Sequence, residues 1–231
     1  MAAQIGATAA RAGEALPVPG TPIKIMLVDD HAVVRMGFRL LLDGSPDMKV
    51  VAEADSGESA LRHLEQAEPD VVVMDVAMPG IGGLEAIHRI LAKQPGARIL
   101  ALSAHEDAMH ARRALKAGAM GYLTKRSAAE ALIQAIRQVR QGKTFLEPEI
   151  AQQLAVQRVS GAPDPLDTLS EKEFKVFLAL AKGQSVQEIA TVMSLSPRTV
   201  GTHLYNIKQK LGASNSAELA IMAMRAGLLK P

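Results

Sequence analysis

The sequence predicts an α/β protein with a five-stranded, doubly wound parallel sheet, followed by a C-terminal all-α domain of four helices. Two observations predict this arrangement. From Ile23 to about residue 143, five short apolar runs alternate with segments of helical periodicity, which is typical of a parallel sheet covered by helices on both faces. After residue 168, no such runs appear, and helix capping signals recur at short intervals instead.

The five strands are predicted at 23–28, 50–53, 71–74, 98–102 and 121–123. The third of them shows no alternation of apolar and polar residues, as expected of a strand that is buried on both faces. Helical periodicity between and after the strands is marked by apolar positions such as Phe38, Leu61, Ile87 and Ile136. The alternation therefore predicts one helix after each strand.

Composition suggests four segments along the chain. Residues 1–22 are rich in Ala, Gly and Pro and lack the apolar block of a signal peptide, so we expect a flexible leader. Residues 23–143 form the α/β domain. Residues 144–167 hold three prolines and a glycine and are predicted to be a linker with one short helical stretch. Residues 168–231 form the helical domain.

The composition excludes several classes of site. The chain has 231 residues and no cysteine, so disulfide frameworks, thiolate zinc sites and cysteine nucleophiles are excluded. No apolar run approaches the roughly 18 residues of a membrane span, and we expect a cytoplasmic protein without a membrane partner. Residues 165–231 carry 8 basic and 5 acidic side chains, a net charge of +3, whereas residues 23–147 carry 16 of each. If the protein binds a polyanion, we therefore expect the C-terminal end of the chain to bind it.

Helix caps in the C-terminal domain predict its architecture. Ser170 with Glu173 and Ser185 with Glu188 have the spacing of capping boxes, and Ser196 precedes a proline at the first helical position. The resulting order is a helix, a short helix, a tight turn, a longer helix and a final helix. This is a helix-turn-helix with one added helix.

Polar side chains follow the strands of the α/β domain. Asp29 and Asp30 come after the first strand, Asp75 after the third, Ser103 after the fourth and Lys125 after the fifth. One common strand order, 2-1-3-4-5, places the first and third strands side by side. Three carboxylates in one pocket require a cation or a retained proton, and oxygen ligands of this kind suit Mg²⁺. A carboxylate can also attack phosphorus to form an aspartyl phosphate.

The segments IMLVDDH, VVVMDVAMPGIGG and GAMGYLTK resemble the flavodoxin-like receiver domain of two-component response regulators. This resemblance covers about residues 23–143 and implies that Asp75 accepts a phosphoryl group from a sensor histidine kinase. It implies that Mg²⁺ is held by Asp30, Asp75 and the main-chain carbonyl of Ala77, with Asp29 assisting. It also implies that Ser103 and Tyr122 form a switch pair, in which the hydroxyl moves toward the phosphoryl group and the ring turns inward.

The longer helix of the C-terminal domain has an apolar stripe formed by Val200, Leu204, Ile207 and Leu211 and a polar opposite face. A recognition helix needs this arrangement to read base edges in the major groove of double-stranded DNA. About residues 166–229 also resemble the LuxR/NarL type of helix-turn-helix. The predicted DNA-binding residues are Arg198, Thr199, Gly201, Thr202, Tyr205 and Lys208.

These features predict a phosphorylation-dependent transcriptional regulator rather than an enzyme. The final helix carries more apolar residues than a small helical core needs, so some of them either form a dimer contact or pack inside the monomer. The resemblance to the LuxR/NarL type implies a homodimer in the phosphorylated state. Two alternatives remain open at this point. The α/β domain could be an aspartate-nucleophile phosphatase, or the chain could be a constitutive DNA-binding module with an idle receiver.

Overall fold

The architecture consists of a parallel sheet with helices on both faces and a separate group of helices at the C-terminal end. It is given by a computed structural model, which describes residues 21–127, 129–159 and 165–229. Nearly all of the leader expected at residues 1–22 therefore lies outside the described residues. The α/β class and the helical C-terminal domain are both confirmed.

The sheet has six strands, all parallel, in the order β2-β1-β3-β4-β5-β6. The prediction of five strands was therefore wrong by one, because the sixth strand is only two residues long and has no readable alternation. The order of the first five is the predicted one, and it places the ends of the first and third strands side by side. The strands are β1 (Ile23–Val28), β2 (Met48–Ala54), β3 (Val71–Asp75), β4 (Ile99–Ser103), β5 (Gly121–Thr124) and β6 (Phe145–Leu146).

Helices cover the two faces of the sheet and bury a separate apolar layer on each. The helices are α1 (Ala32–Asp43), α2 (Gly57–Ala67), α3 (Gly83–Lys93), α4 (Ala108–Lys116) and α5 (Ala129–Arg140). One layer contains side chains of α1 and α5 packed on the sheet, and the other contains side chains of α2, α3 and α4. The central strands β3 and β4 are buried at every position, as parallel strands covered on both sides must be.

The segment after α5 is attached to the α/β domain. Strand β6 pairs with β5, with Phe145 opposite Gly121 and Leu146 opposite Tyr122. Helix α6 (Pro148–Val159) follows at once, and its Ile150 is 2% exposed within the apolar layer of α2 to α4. Both elements fall within the stretch 144–167 that composition predicts to be a linker.

The C-terminal domain contains the four predicted α-helices, preceded by a short 3-10 helix (Pro165–Thr168) that the sequence analysis did not predict. The helices are α7 (Glu171–Ala181), α8 (Val186–Val192), α9 (Pro197–Leu211) and α10 (Ser216–Arg225). Both predicted capping boxes form, with reciprocal side-chain to backbone hydrogen bonds. Helix α9 ends at Gly212, whose φ of 65° is a left-handed conformation that glycine adopts without a steric penalty.

Within the described part of the chain, no helix combines the length and the apolar character needed to cross a lipid bilayer.

Candidate functional site

An acidic cluster lies at the carboxyl ends of β1 and β3, where the sequence predicts it. Asp75 is the last residue of β3 and is 1% exposed, and Asp29 follows β1 and is 3% exposed. Ligand atoms of Asp29, Asp30, His31 and Asp75 all lie within 4.8 Å of one another. The strand order thus brings together carboxylates that are about 45 residues apart in the chain.

Lys125 provides the positive charge of this cluster. Its Nζ lies 2.6 Å from Oδ2 of Asp29 and 2.9 Å from Oδ2 of Asp75. Burial lowers the pKa of Lys125, but the hydrogen bonds to the two carboxylates outweigh this effect and raise it above the ordinary value. Burial also raises the pKa of Asp75, although the Ala77 N–H and Lys125 act in the opposite direction. One ammonium therefore faces more negative charge than it can neutralise.

The donor set of the cluster suits a hard divalent cation. Oδ1 of Asp30 is buried and accepts no hydrogen bond from the residues that the structure describes, although Nδ1 of His31 lies 2.9 Å away. Oδ1 of Asp75 accepts a hydrogen bond from the N–H of Ala77 at 3.0 Å, which folds the loop after β3 back over the carboxylate. A buried carboxylate oxygen that accepts no hydrogen bond, beside further carboxylates, is the kind of oxygen ligand that Mg²⁺ prefers.

Ser103 and Tyr122 lie next to this cluster, and both are fully buried. Ser103 is the last residue of β4 rather than the residue after it, and its Oγ accepts a hydrogen bond from the N–H of His105. The hydroxyl of Tyr122 donates to the carbonyl of His105 at 2.7 Å, and burial raises the pKa of this phenol. Both side chains thus hold the loop between β4 and α4, with the tyrosine ring in an inward position.

The loop and helix that follow Ser103 contact the C-terminal domain. Arg113 of α4 is 8% exposed and donates from its two terminal nitrogens to the carbonyls of Leu166 and Leu169, at 3.2 and 3.0 Å. Its guanidinium carbon lies 4.2 Å from the centre of the Phe174 ring. Met109 of the same helix is 1% exposed and belongs to the apolar core of the C-terminal domain. Helix α4 therefore completes the packing of the other domain.

A second group of contacts joins α7 to the loop after Asp75. Nζ of Lys175 donates to the carbonyl of Met78 at 2.9 Å, and a carboxylate oxygen of Glu171 lies 3.4 Å from the N–H of Glu85. Glu171 also packs against Gly82, where a Cβ would lie 2.0 Å from its carboxylate. The C-terminal domain thus contacts the loop that carries Ala77. We call these contacts, together with those of Arg113 and Met109, the interdomain contact.

Two histidines lie at the edge of the interdomain contact. The rings of His105 and His110 stack in parallel with centroids 3.9 Å apart, and Nδ1 of His110 lies 2.8 Å from both carboxylate oxygens of Asp107. The edge of His110 meets the Phe174 ring at 5.4 Å. Burial, His110 and Lys182 lower the pKa of His105, while Asp107 has the opposite effect. Glu171, Lys175 and Arg113 are the other charged groups that line the adjacent cavity.

Acidification is expected to weaken the interdomain contact. Separation of the domains removes Lys182 and exposes His105, so the pKa of His105 returns toward its ordinary value near 6.5. His105 therefore binds a proton more tightly when the domains are separated, and the population of molecules with separated domains rises as the pH falls below about 6.5. Small-angle scattering between pH 8 and 5.5 should show a larger radius of gyration at low pH. A His105→Ala variant should lose most of that dependence, and an equal response in this variant would contradict the assignment.

The polar face of α9 is not covered by the α/β domain. Arg198 and Thr202 are exposed, and Tyr205 is 64% exposed. Thr199 and Gly201 are partly exposed, and Lys208 is engaged with the carbonyl of Ser214. The structure thus leaves most of the predicted DNA-binding residues open to solvent, and the apolar stripe packs inward, with Val200 and Ile207 fully buried.

Two residues with structural roles at this site, Arg113 and Glu147, carry no signal in the sequence. In the sequence, Arg113 is one of two adjacent arginines on a predicted helix. Only the fold shows that it donates hydrogen bonds to the other domain. Glu147 precedes a proline after β6 and binds the turn that carries Lys125. No pattern in the sequence marks either residue.

The fold and the acidic cluster define a receiver joined to a helix-turn-helix domain. Residues 25–137 match the family model described as the response regulator receiver domain, and residues 167–223 match the bacterial regulatory proteins of the luxR family. The chain belongs to the two-component response regulators of the LuxR type, which are phosphorylation-dependent transcriptional regulators.

Relatives and solved structures agree with this assignment. The chain is 42% identical over 209 residues to the response regulator GacA of Pseudomonas aeruginosa, covering 90% of this chain and 98% of GacA. It is 39% identical to the response regulator UvrY of Escherichia coli K12, covering 89% and 95% of the two chains. A LuxR-family response regulator from Aurantimonas is 43% identical over 60% of this chain and 99% of that chain, with a TM-score of 0.58.

Proposed function

We propose that Asp75 is the phosphoacceptor of this receiver and that a phosphohistidine of a sensor kinase is the donor. A carboxylate oxygen attacks phosphorus, the phosphorus–nitrogen bond breaks, and the imidazole leaves with a proton while an acyl phosphate forms on Asp75. The observation that carries this proposal is the position of Asp75 in the acidic cluster. It is the buried carboxylate whose two oxygens face a backbone N–H and the Lys125 ammonium.

The residues around Asp75 are assigned complementary roles. Asp29, Asp30, Asp75 and the carbonyl of Ala77 would hold Mg²⁺, which when bound supplies positive charge to the carboxylates and the phosphoryl oxygens. Lys125 binds the phosphoryl oxygens as a point charge. Ser103 gives up its bond with the His105 N–H and donates its hydroxyl to the phosphoryl group, and this movement shifts the loop that Tyr122 also holds.

Phosphorylation would act on DNA binding through the interdomain contact. The loop after β3 and helix α4 after β4 both reach α7 or its preceding turn, so a shift in either one weakens the bonds made by Lys175 and Arg113. Release would let two C-terminal domains pair and meet two half-sites of double-stranded DNA. Ile221 and Met224 of α10, which are 45% and 42% exposed, offer an apolar surface for this homodimer.

The regulator is distinguished from its two alternatives by one experiment with the full chain. The protein is incubated with Mg²⁺ and a small acyl phosphate, and then label incorporation and affinity for a selected DNA site are measured. We expect one acid-labile phosphoryl group per chain and tighter DNA binding. Asp75→Asn should abolish both, whereas Asp55→Asn, at an exposed carboxylate after β2, should change neither.

Other outcomes of this experiment would contradict the proposal. Undiminished labelling of the Asp75→Asn variant would refute the phosphoacceptor assignment. Phosphorylation without any change in DNA affinity would favour a constitutive DNA-binding module. Continuous release of inorganic phosphate from an added phosphomonoester would favour the phosphatase.

Side chains of α9 are expected to determine which DNA sequence is preferred, whereas side chains of α7 contribute only to the affinity for DNA. Tyr205→Ala should reduce discrimination between the selected site and mismatched sites, because an exposed ring on the recognition face contacts bases. Lys172→Ala removes an exposed charge of α7, so it should weaken binding about equally on all sequences, as a lost phosphate contact does. Competition binding with matched and mismatched duplexes measures both. An equal loss of discrimination in the two variants would contradict this division of roles.

A further inference from the structure

The turn that carries Lys125 is held from outside by a residue of the following segment. Thr124 to Ser127 form a turn closed by a hydrogen bond from the Ser127 N–H to the Thr124 carbonyl at 3.1 Å, and Lys125 occupies its second position. Glu147 closes the same turn on its outer side. One of its oxygens accepts the N–H of Thr124 at 3.0 Å, and the other accepts the hydroxyl of Ser127 at 2.6 Å.

Glu147 reaches this turn because β6 fixes its position. Leu146 pairs with Tyr122 in parallel register, so the next residue, Glu147, lies at the end of β5, where the turn begins. Its carbonyl accepts the first helical hydrogen bond of α6, from the N–H of Ala151 at 2.9 Å. The main chain of Glu147 is thus tied to α6, and its side chain is tied to the turn of Lys125.

Helix α6 also contacts the second loop of the site. The side-chain oxygen of Gln153 accepts the N–H of Ala108 at 3.1 Å, which is the first residue of α4. The segment between the domains therefore bonds both to the turn of Lys125 and to the helix that carries Arg113. Glu147 and Gln153, which make these bonds, are six residues apart at the start of α6, so a displacement of one bonded element would move the other.

We propose that Glu147 is a positioning residue for phosphoryl transfer at Asp75, acting by holding the turn of Lys125. This inference rests on the function proposed for Asp75 and Lys125. A fixed turn keeps the Lys125 ammonium at the distance from Asp75 where phosphoryl oxygens would be met. The carbonyl of Glu147 accepts the first hydrogen bond of α6, so this residue links the position of Lys125 to the position of α6.

The test measures phosphorylation of the full chain by a small acyl phosphate over a range of donor concentrations, with Mg²⁺ present. Glu147→Ala should lower the maximal rate by about tenfold, since misplacing a positioned group can cost one to two orders of magnitude. The donor concentration at half-maximal rate should change little. The maximal rate of Glu147→Gln should lie between those of the wild type and of Glu147→Ala, because an amide offers only one acceptor oxygen. Glu149→Gln, at an exposed position of α6, is the matched control.

A double-mutant cycle separates positioning from a general loss of stability. In a Lys125→Ala background, Glu147→Ala should cause no further loss of rate, because the group that it positions is gone. Amide hydrogen exchange should be faster at Thr124 in Glu147→Ala, while the exchange of β3 amides stays unchanged. Additive effects of the two substitutions, or a wild-type rate in Glu147→Ala, would overturn the inference. Failure of the wild-type chain to be phosphorylated would instead refute the proposed function.

Discussion

Arg113→Ala is expected to separate the two domains in the absence of phosphorylation. The substitution removes two hydrogen bonds from a cation to carbonyl oxygens and the contact with the Phe174 ring, and it leaves the carbonyls of Leu166 and Leu169 without these donors. Hydrogen bonds to charged groups contribute about 1.5–3 kcal/mol each. A loss of this size is comparable with the free-energy difference between two states of a switch. The radius of gyration should increase, and DNA affinity should approach that of the phosphorylated protein.

The receiver itself should tolerate Arg113→Ala, because the hydrogen bonds and ring contact described for Arg113 are made with the other domain. Arg113→Lys keeps the charge but lacks the planar fork that reaches two carbonyls, so an intermediate result is expected. Arg89→Ala, at an exposed arginine of α3, serves as the control. A radius of gyration and a DNA affinity equal to those of the wild type would show that the interdomain contact does not restrain the C-terminal domain.

Lys125→Ala is expected to destabilise the receiver when no divalent cation is present. In this variant the carboxylates of Asp29 and Asp75, which are almost fully buried, lose the Lys125 ammonium, whose Nζ lies 2.6 and 2.9 Å from their Oδ2 atoms in the wild type. Removing one partner of a buried ion pair costs on the order of 3 kcal/mol. The melting temperature should therefore fall, and Asp75 should titrate at higher pH, because Lys125 lowers its pKa in the wild type.

Mg²⁺ should raise the melting temperature of Lys125→Ala more than that of the wild type, because it binds a site with one more uncompensated negative charge. Thermal unfolding with and without Mg²⁺ measures this difference, and Lys143→Ala, at an exposed lysine, is the control. The phosphorylated variant should also fail to tighten DNA binding. An equal response of the variant and the wild type to Mg²⁺ would indicate that Lys125 does not share the carboxylate site.

The acidic cluster was predictable because it depends on topology alone. Strict alternation of strands and helices requires a parallel sheet, and the residues that end neighbouring strands then meet at one edge. On the common strand order 2-1-3-4-5, Asp29 and Asp75 therefore lie side by side, and Lys125 ends a strand at the same edge of the sheet. Strand β6 could not be predicted, because two residues carry no periodicity.

The interdomain contact was not predictable, because it joins surfaces that each look ordinary in the sequence. Lys175 and Lys210 are typical candidates for phosphate contacts on a basic domain. In the structure, Lys175 bonds the carbonyl of Met78, and Lys210 bonds Glu173 within its own domain. The partner of a charged side chain at such a contact is determined by how two separately folded surfaces pack together. Periodicity and capping signals describe single elements and carry no information about that packing.

The position of Met109 limits how freely these two domains could be exchanged between proteins. Its side chain comes from the receiver but is buried among the apolar residues of the helical domain. A chimaera that joins this helical domain to a foreign receiver would lack that methionine and expose part of the apolar core of the helical domain. The two halves behave as modules in sequence comparisons, yet they share one piece of hydrophobic core. Successful recombination would have to transfer the α4 surface together with α7.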